Sequence, residues 1–214
     1  MKQDSLLLNY EYLKRCNLAT VSKTDDKVVL RGVCIQERQE NGNYYRYYIG
    51  CDGSILVGYK EKIAKCMNKE IILNMNDFKI HKDNEKKIID NGGYLLFERD
   101  TNYRYKTDFG NIFIIDGIYP NYMQLFAKKF KVADEFVQIS FEKHKILNQF
   151  WKTNDRVIKL CERTFFINTD VKDETTAPLF NFQKINDKVL KFSLCMPIRA
   201  YIDFDLKDLK QFDF

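Results

Sequence analysis

With 214 residues, 45% of them hydrophobic, the chain can fold as one large or two small domains around a substantial core. Its 35 basic and 30 acidic residues leave a formal charge of only +5, so attraction to nucleic acid has to come from local arrangement rather than from a polybasic tail. Apolar runs are only a few residues long and Met1 to Ser5 lack the zones of a signal peptide, so a cytoplasmic location is expected. The six cysteines include no C-x-x-C pair and the only histidines are His81 and His144; no metal is expected, and the thiols read as reduced, buried apolar groups.

Three segments repeat one plan, a short helix followed by several strands. In the first, Leu8, Tyr12, Leu13 and Cys16 recur at helical spacing, and Val28 to Gln36 and Tyr44 to Cys51 read as strands around a turn at residues 40–43. Asp52-Gly53 then turns the chain into a further strand, I-L-V-G-Y. The second segment opens with strand E-I-I-L-N-M. It continues through a helix from about Asp77 to Ile89 that stops at Asn91-Gly92-Gly93, then strands Tyr94 to Phe97, Asn102 to Thr107 and Ile112 to Asp116. The third holds strand Phe136 to Phe141, a helix over His144 to Trp151, strands Val157 to Cys161 and Thr164 to Asn168, and a last strand Val189 to Pro197. A polar loop, Thr169 to Asn186, interrupts it, and a tail from Tyr201 to Phe214 alternates acidic and aromatic residues. Such a plan predicts an α+β fold in which antiparallel strands carry helices on one face.

Within this plan stand four ordered strings. Leu30, Gly32 and Ile35 fit L-x-G-x-x-F, and Cys51 to Val57 read C-D-G-S-I-L-V. Asp116 to Tyr122 read D-G-I-Y-P-N-Y, and Leu194 to Ala200 read L-C-M-P-I-R-A. In this order and spacing they resemble the landmarks of the bacterial DNA sliding clamp, the beta subunit of DNA polymerase III, in a shortened form. That resemblance implies a DNA-clamp-like fold of repeated helix-plus-sheet units. Residues 5–125 would correspond to the clamp's middle domain, 126–201 to the second half of its last domain, and 202–214 to a tail. The clamp's first domain and the first half of its third have no counterpart, which leaves about half a subunit.

The resemblance also implies a non-enzymatic protein without cofactor that takes a short peptide, with a glutamine and two bulky apolar residues, from polymerase or repair proteins. The matched groove positions are Gly53, Leu56, Pro120, Leu125, Leu194, Met196 and Ile198. Apolar walls with methionine suit leucine and phenylalanine anchors, while a purely structural domain junction would have the same composition. Ser54-Ile55 replaces the family's His-Arg pair and removes basic character near the groove. Clamp rings line their channel with basic helices, and the corresponding cations are Lys14 and Arg15, then Lys79, Lys82, Lys86 and Lys87, then Lys143, Lys145 and Lys152. Interspersed Asp77, Asp83, Glu85 and Glu142 fit an ordinary solvated helix face as well. Double-stranded DNA and further copies of the chain are thus candidate partners, and no membrane is. Two alternatives stand beside the clamp: a decoy that keeps the groove without closing a ring, and an unrelated interaction module. No phosphate loop, nucleophile elbow or paired-carboxylate signature points to catalysis.

Overall fold

Short apolar alternations turn into a single antiparallel sheet, and the three helical repeats become three helices packed on one of its faces. The computed structural model describes residues 5–22, 25–66, 69–125, 130–132, 141–152, 166–168 and 179–196. In chain order the elements are β1 (Ser5–Asn9), α1 (Tyr10–Cys16), β2 (Val33–Glu40), β3 (Asn43–Cys51), β4 (Ile55–Ile63) and β5 (Glu70–Asn74). There follow α2 (Lys82–Asp90), β6 (Tyr94–Thr101), β7 (Arg104–Thr107), β8 (Gly110–Ile114), β9 (Phe130–Val132), α3 (Phe141–Trp151), β10 (Phe166–Asn168), β11 (Leu179–Lys184) and β12 (Val189–Cys195). Their order across the sheet is β1-β6-β7-β8-β5-β2-β3-β4-β12-β11-β10-β9.

Two units exchange strands. β1, which leads into α1, pairs with β6, the strand after α2, while β5, which precedes α2, pairs with β2. Neither unit completes its sheet alone, so residues 5–114 fold as one cooperative body. The third unit differs, since β9, before α3, pairs with β10, the first described strand after the same helix. It joins the first through β4 and β12, which pair along their length from Ile55↔Cys195 to Glu61↔Val189.

Period-two alternation then divides the apolar residues between two faces. Val33, Ile35, Tyr48, Ile55, Val57, Tyr59, Ile71 and Leu73 form a core with Leu13 and Cys16 of α1, Ile88 of α2 and Leu147, Phe150 and Trp151 of α3. Their strand neighbours Cys34, Tyr47, Ile49, Leu56, Ile72, Phe180, Phe192 and Leu194 form a second cluster on the opposite face. Gly50 permits the close seating of α1 on the first face, because a Cβ there would lie 1.8 Å from the Cys16 carbonyl oxygen.

Two cations fasten α3 to the rest. The last carbonyls of a helix lack intrahelical donors and carry the negative end of its dipole. The Arg15 guanidinium, on α1, donates to the Phe150 carbonyl at 3.1 Å and also reaches the Lys152 carbonyl. Lys191, on β12 and 3% exposed, donates to the same Phe150 carbonyl at 2.7 Å, with the rings of Phe150 and Trp151 around its ammonium. Trp151 Nε1 completes the joint by donating to Ser193 Oγ at 3.1 Å.

Some elements differ from the sequence expectations. Val28–Arg31 is a 3-10 turn rather than the start of a strand, since Leu30 bonds back to the Lys27 carbonyl at 2.9 Å and buries its side chain in the second cluster. The helix expected from Asp77 begins only at Lys82, with His81 as its N-cap, because Phe78 and Ile80 are drawn into the core by an irregular stretch. Within the expected loop Thr169 to Asn186, Leu179–Lys184 is strand β11, held by six residue pairs to β12. α3 starts at Phe141, so that residue opens a helix instead of closing a strand. The remaining expected strands at 136–140 and 157–161, and the tail, lie outside the described residues.

Candidate functional site

At the β4–β12 junction three distant stretches of sequence meet. Leu56 stands directly opposite Leu194, with Cys51 beyond it on β3 and Phe180 beyond Leu194 on β11, so four strands contribute one row to the second face. Just past the end of β12 the Met196 amide donates to the Ser54 carbonyl at 2.9 Å, which ties the C-M-P string to the D-G-S turn. The third string arrives as Tyr119 and Tyr122, both buried in the same cluster, with Met123 packed against it. Tyr122 holds that segment in place by donating its hydroxyl to Gln36 Oε1 at 2.8 Å, and the Tyr119 amide donates to Glu70 Oε1.

The expected groove residues occupy different depths. Leu56 and Leu194 are each only 2% exposed and lie beneath the surface. Gly53 and Pro120 are exposed and Met196 is half-buried, so these three present the accessible surface. Leu125 closes the 3-10 turn Tyr122–Leu125, and Ile198 lies outside the described residues.

The turn itself is built by Asp52. Its Oδ1 accepts from the amides of Ser54 and Ile55, both at 2.7 Å, and from the Ser54 hydroxyl, an Asx-type arrangement. Gly53 takes the left-handed conformation this requires, with φ of 94°. A Cβ on Gly53 would stand 3.1 Å from Lys27 Nζ and 4.0 Å from Leu30 Cδ1, so the lysine of a neighbouring loop lies over the turn. Burial pushes the Cys51 thiol above its ordinary range against the opposing pull of the Gly53 amide and Lys27. Cys195 is raised to about 11, chiefly by burial. Neither thiol is therefore a ready nucleophile.

On the other face of the sheet the expected DNA-contacting cations differ in availability. Arg15 is bound to the end of α3 and to Glu11, which leaves it committed to the fold. Lys14 pairs with Glu85 at 2.7 Å, and Lys143 donates to the Met196 carbonyl at 3.3 Å. Lys79, Lys82, Lys86, Lys87, Lys145 and Lys152 are exposed, with Lys79 on the loop before α2 rather than on the helix.

Two concavities are present, one apart from these places and one beside the expected DNA-contacting residues Lys14, Lys79 and Lys82. A cleft of about 820 Å³ runs between β1 and the far ends of β4 and β12, floored by Arg46, Glu61 and Tyr94. Arg46 and Glu61 are partnered, Arg46 with Glu37 at 2.7 Å and Glu61 as acceptor from Tyr48 at 3.0 Å and from Tyr94, while Lys62, Lys65, Asp187 and Lys188 also line the cleft. A smaller hollow of about 370 Å³ lies between α1 and the loop before α2, around Lys14, Phe78 and Glu85.

Comparison with known proteins places this geometry. No protein-family model matches the chain and no curated protein matches it in sequence. Among solved structures it is similar to the sliding clamp of Pseudomonas aeruginosa bound to griselimycin, with a TM-score of 0.57 and 10% identity over 92% of this chain and 65% of that one. It is similar also to the C. crescentus beta sliding clamp (TM-score 0.51, 10% identity, 92% and 66%). The DNA polymerase III beta subunit of Thermotoga maritima gives a TM-score of 0.50 at 14% identity over 91% and 65%. The chain therefore has the fold of the bacterial sliding clamps. It spans 66% of the length of the C. crescentus clamp.

Sequence reading missed Lys27, Arg15's structural role and Lys191. Nothing in their local sequence marks them; each acquires its position from a partner far along the chain.

Proposed function

We propose that the protein is a clamp-like, non-enzymatic adaptor or processivity factor of the cytoplasm. It takes short peptides of polymerase or repair proteins on the outer face at the β4–β12 junction and contacts duplex DNA on the helix face. The observation that carries this reading is the convergence of three separate strings on one apolar patch, in a chain with the sliding-clamp fold. Gly53, Pro120 and Met196 would touch the peptide, with Leu56 and Leu194 as the floor beneath. Leu125 and Ile198 belong to the same proposed set. The separation of the two faces supports the double role, because a peptide and a DNA backbone can be held on opposite sides of one sheet.

A fluorescent peptide carrying Gln, Leu and Phe is expected to bind, and Met196→Ala to weaken it by about 1 kcal/mol or more without shifting the melting temperature. Unaltered affinity in the folded variant would remove this surface from the peptide reading. For DNA, replacing Lys82, Lys86 and Lys87 together by glutamine should lower duplex affinity and flatten its salt dependence, by a log–log slope of about 0.9 for each phosphate that is no longer neutralised. Light scattering on the same samples reads the oligomeric state. A closed oligomer of defined size supports a ring, and a lasting monomer that binds peptide supports the decoy.

A further inference from the structure

We propose that the Tyr119 hydroxyl sets what the outer-face site accepts beside its apolar anchors, namely a neutral side chain that ends in a hydrogen-bond-accepting carbonyl, such as a carboxamide; this rests on the peptide reading above. Tyr119 is 4% exposed, and among the described residues its Oη is a buried side-chain atom that no hydrogen bond reaches. A buried phenol without a partner forfeits the hydrogen bonds it makes in water, so folded chains seldom keep one unless something else takes it up. Phenylalanine would fill nearly the same space without that cost.

The residue is held by its backbone and its ring, not by its hydroxyl. Its amide donates to Glu70 Oε1 at 3.2 Å, and its ring stands edge-on to that of Tyr122 with centroids 6.4 Å apart. The Tyr122 hydroxyl is committed to Gln36 Oε1 at 2.8 Å. Burial drives the Tyr119 phenol well above its ordinary range and Cys51 raises it further, ahead of Cys34, which puts the hydroxyl end on the side of the sheet where those two thiols lie. Cys51 belongs to the candidate site: it pairs with Leu56, and its Sγ accepts from the Gly53 amide at 3.3 Å. Pro120, next in the chain, is exposed at the same place. The cover over this cluster is adaptable, since Met123 and Met196 are half-buried, pack against it and have unbranched side chains that rearrange at low cost. A ligand group that displaces one of them meets the phenol beneath. A carboxylate costs far more to bury there than a carboxamide, which accepts from the hydroxyl and stays neutral.

The test compares Tyr119→Phe with wild type, both as the full chain, using two fluorescent peptides that share Leu and Phe and carry either glutamine or norleucine at the remaining position. Norleucine keeps the apolar stem and lacks the carboxamide. Wild type is expected to bind the glutamine peptide about five- to fifty-fold more tightly, within the range for a hydrogen-bonding group left unpaired in a buried site. Tyr119→Phe should lose that preference, chiefly through weaker binding of the glutamine peptide. It should also melt at or above the wild-type temperature, because the free chain gives up a hydroxyl that bonded nothing. A merely structural role would move the melting temperature and leave the preference as it was. Equal binding of the two peptides by wild type, or a glutamine preference that survives in Tyr119→Phe, overturns the assignment while leaving the peptide site standing. A lower melting temperature for Tyr119→Phe overturns it too, since the hydroxyl would then have a partner within the free chain. Failure of wild type to bind either peptide overturns the peptide reading, and this assignment with it.

Discussion

Gly50→Ala is expected to remove the folded state, or to lower its stability by about 4 kcal/mol or more. The added Cβ would sit 1.8 Å from the Cys16 carbonyl oxygen and 2.7 Å from the carbonyl carbon, so it collides with backbone and not with a side chain that can turn away. Neither partner has room to retreat. Gly50 is paired to Val57 on β4, and Cys16 is fully buried at the end of α1. Ordinary overpacking costs about 1–3 kcal/mol because side chains adjust, and here that adjustment is missing. Gly42→Ala makes the control: nothing lies within 4 Å of its Cβ, and only the positive φ of 77° opposes the change, at about 1–2 kcal/mol. Urea unfolding followed by far-ultraviolet circular dichroism separates the two. Similar midpoints for both variants would show that α1 does not depend on this approach.

A second large effect is expected at Leu56, where aspartate should destabilise the chain more than alanine does and in a pH-dependent way. Leu56 is 2% exposed between Leu194 and Cys51, so truncation to alanine should cost about 2–5 kcal/mol at any pH. Aspartate adds the cost of burying a carboxylate, which raises its folded-state pKa above the unfolded value of about 3.9. Between those two pKa values the native state binds more protons than the unfolded one, so stability falls as pH rises. The deficit of Leu56→Asp relative to Leu56→Ala should therefore grow as pH rises from about 4. A pH-independent difference would mean that position 56 is wet in solution and directly available to a ligand. The depth of Leu56 also decides how the outer face has to be probed. Loss of peptide binding in Leu56→Asp would report unfolding, whereas Met196 lies near enough to solvent to report contact.

Much of the fold was legible because it rests on short-range patterns. The strands at Tyr44 to Cys51, Ile55 onward, Glu70 to Asn74 and Tyr94 to Phe97 alternate or concentrate apolar residues over a few positions, and backbone geometry converts that pattern directly into a pleated strand. The stop at Asn91-Gly92-Gly93 was equally local, since two glycines with φ of 89° and 80° end α2 where the sequence indicated. Local cues misled where a buried side chain outweighed propensity. Val28 to Arg31 has the β-branched residues of a strand, yet burying Leu30 bends it into a 3-10 turn. Leu179 to Lys184 lies in a polar stretch and becomes a strand only because β12 offers it a ladder.

The sequence by itself determined the alternation that gives each strand two faces, the three helical repeats, and the ordered strings at Asp52, Asp116 and Cys195. Those features depend on neighbours within a few residues, which is why composition and spacing carry them. Only the tertiary structure decided that β1 and β5 change places between units, that Leu56 meets Leu194, that Arg15 and Lys191 converge on the last carbonyls of α3, and that Lys27 stands over Gly53. In each case the partners lie far apart along the chain. Pairing at such range is selected by the combined burial of both sheet faces, a quantity that no single stretch of sequence contains.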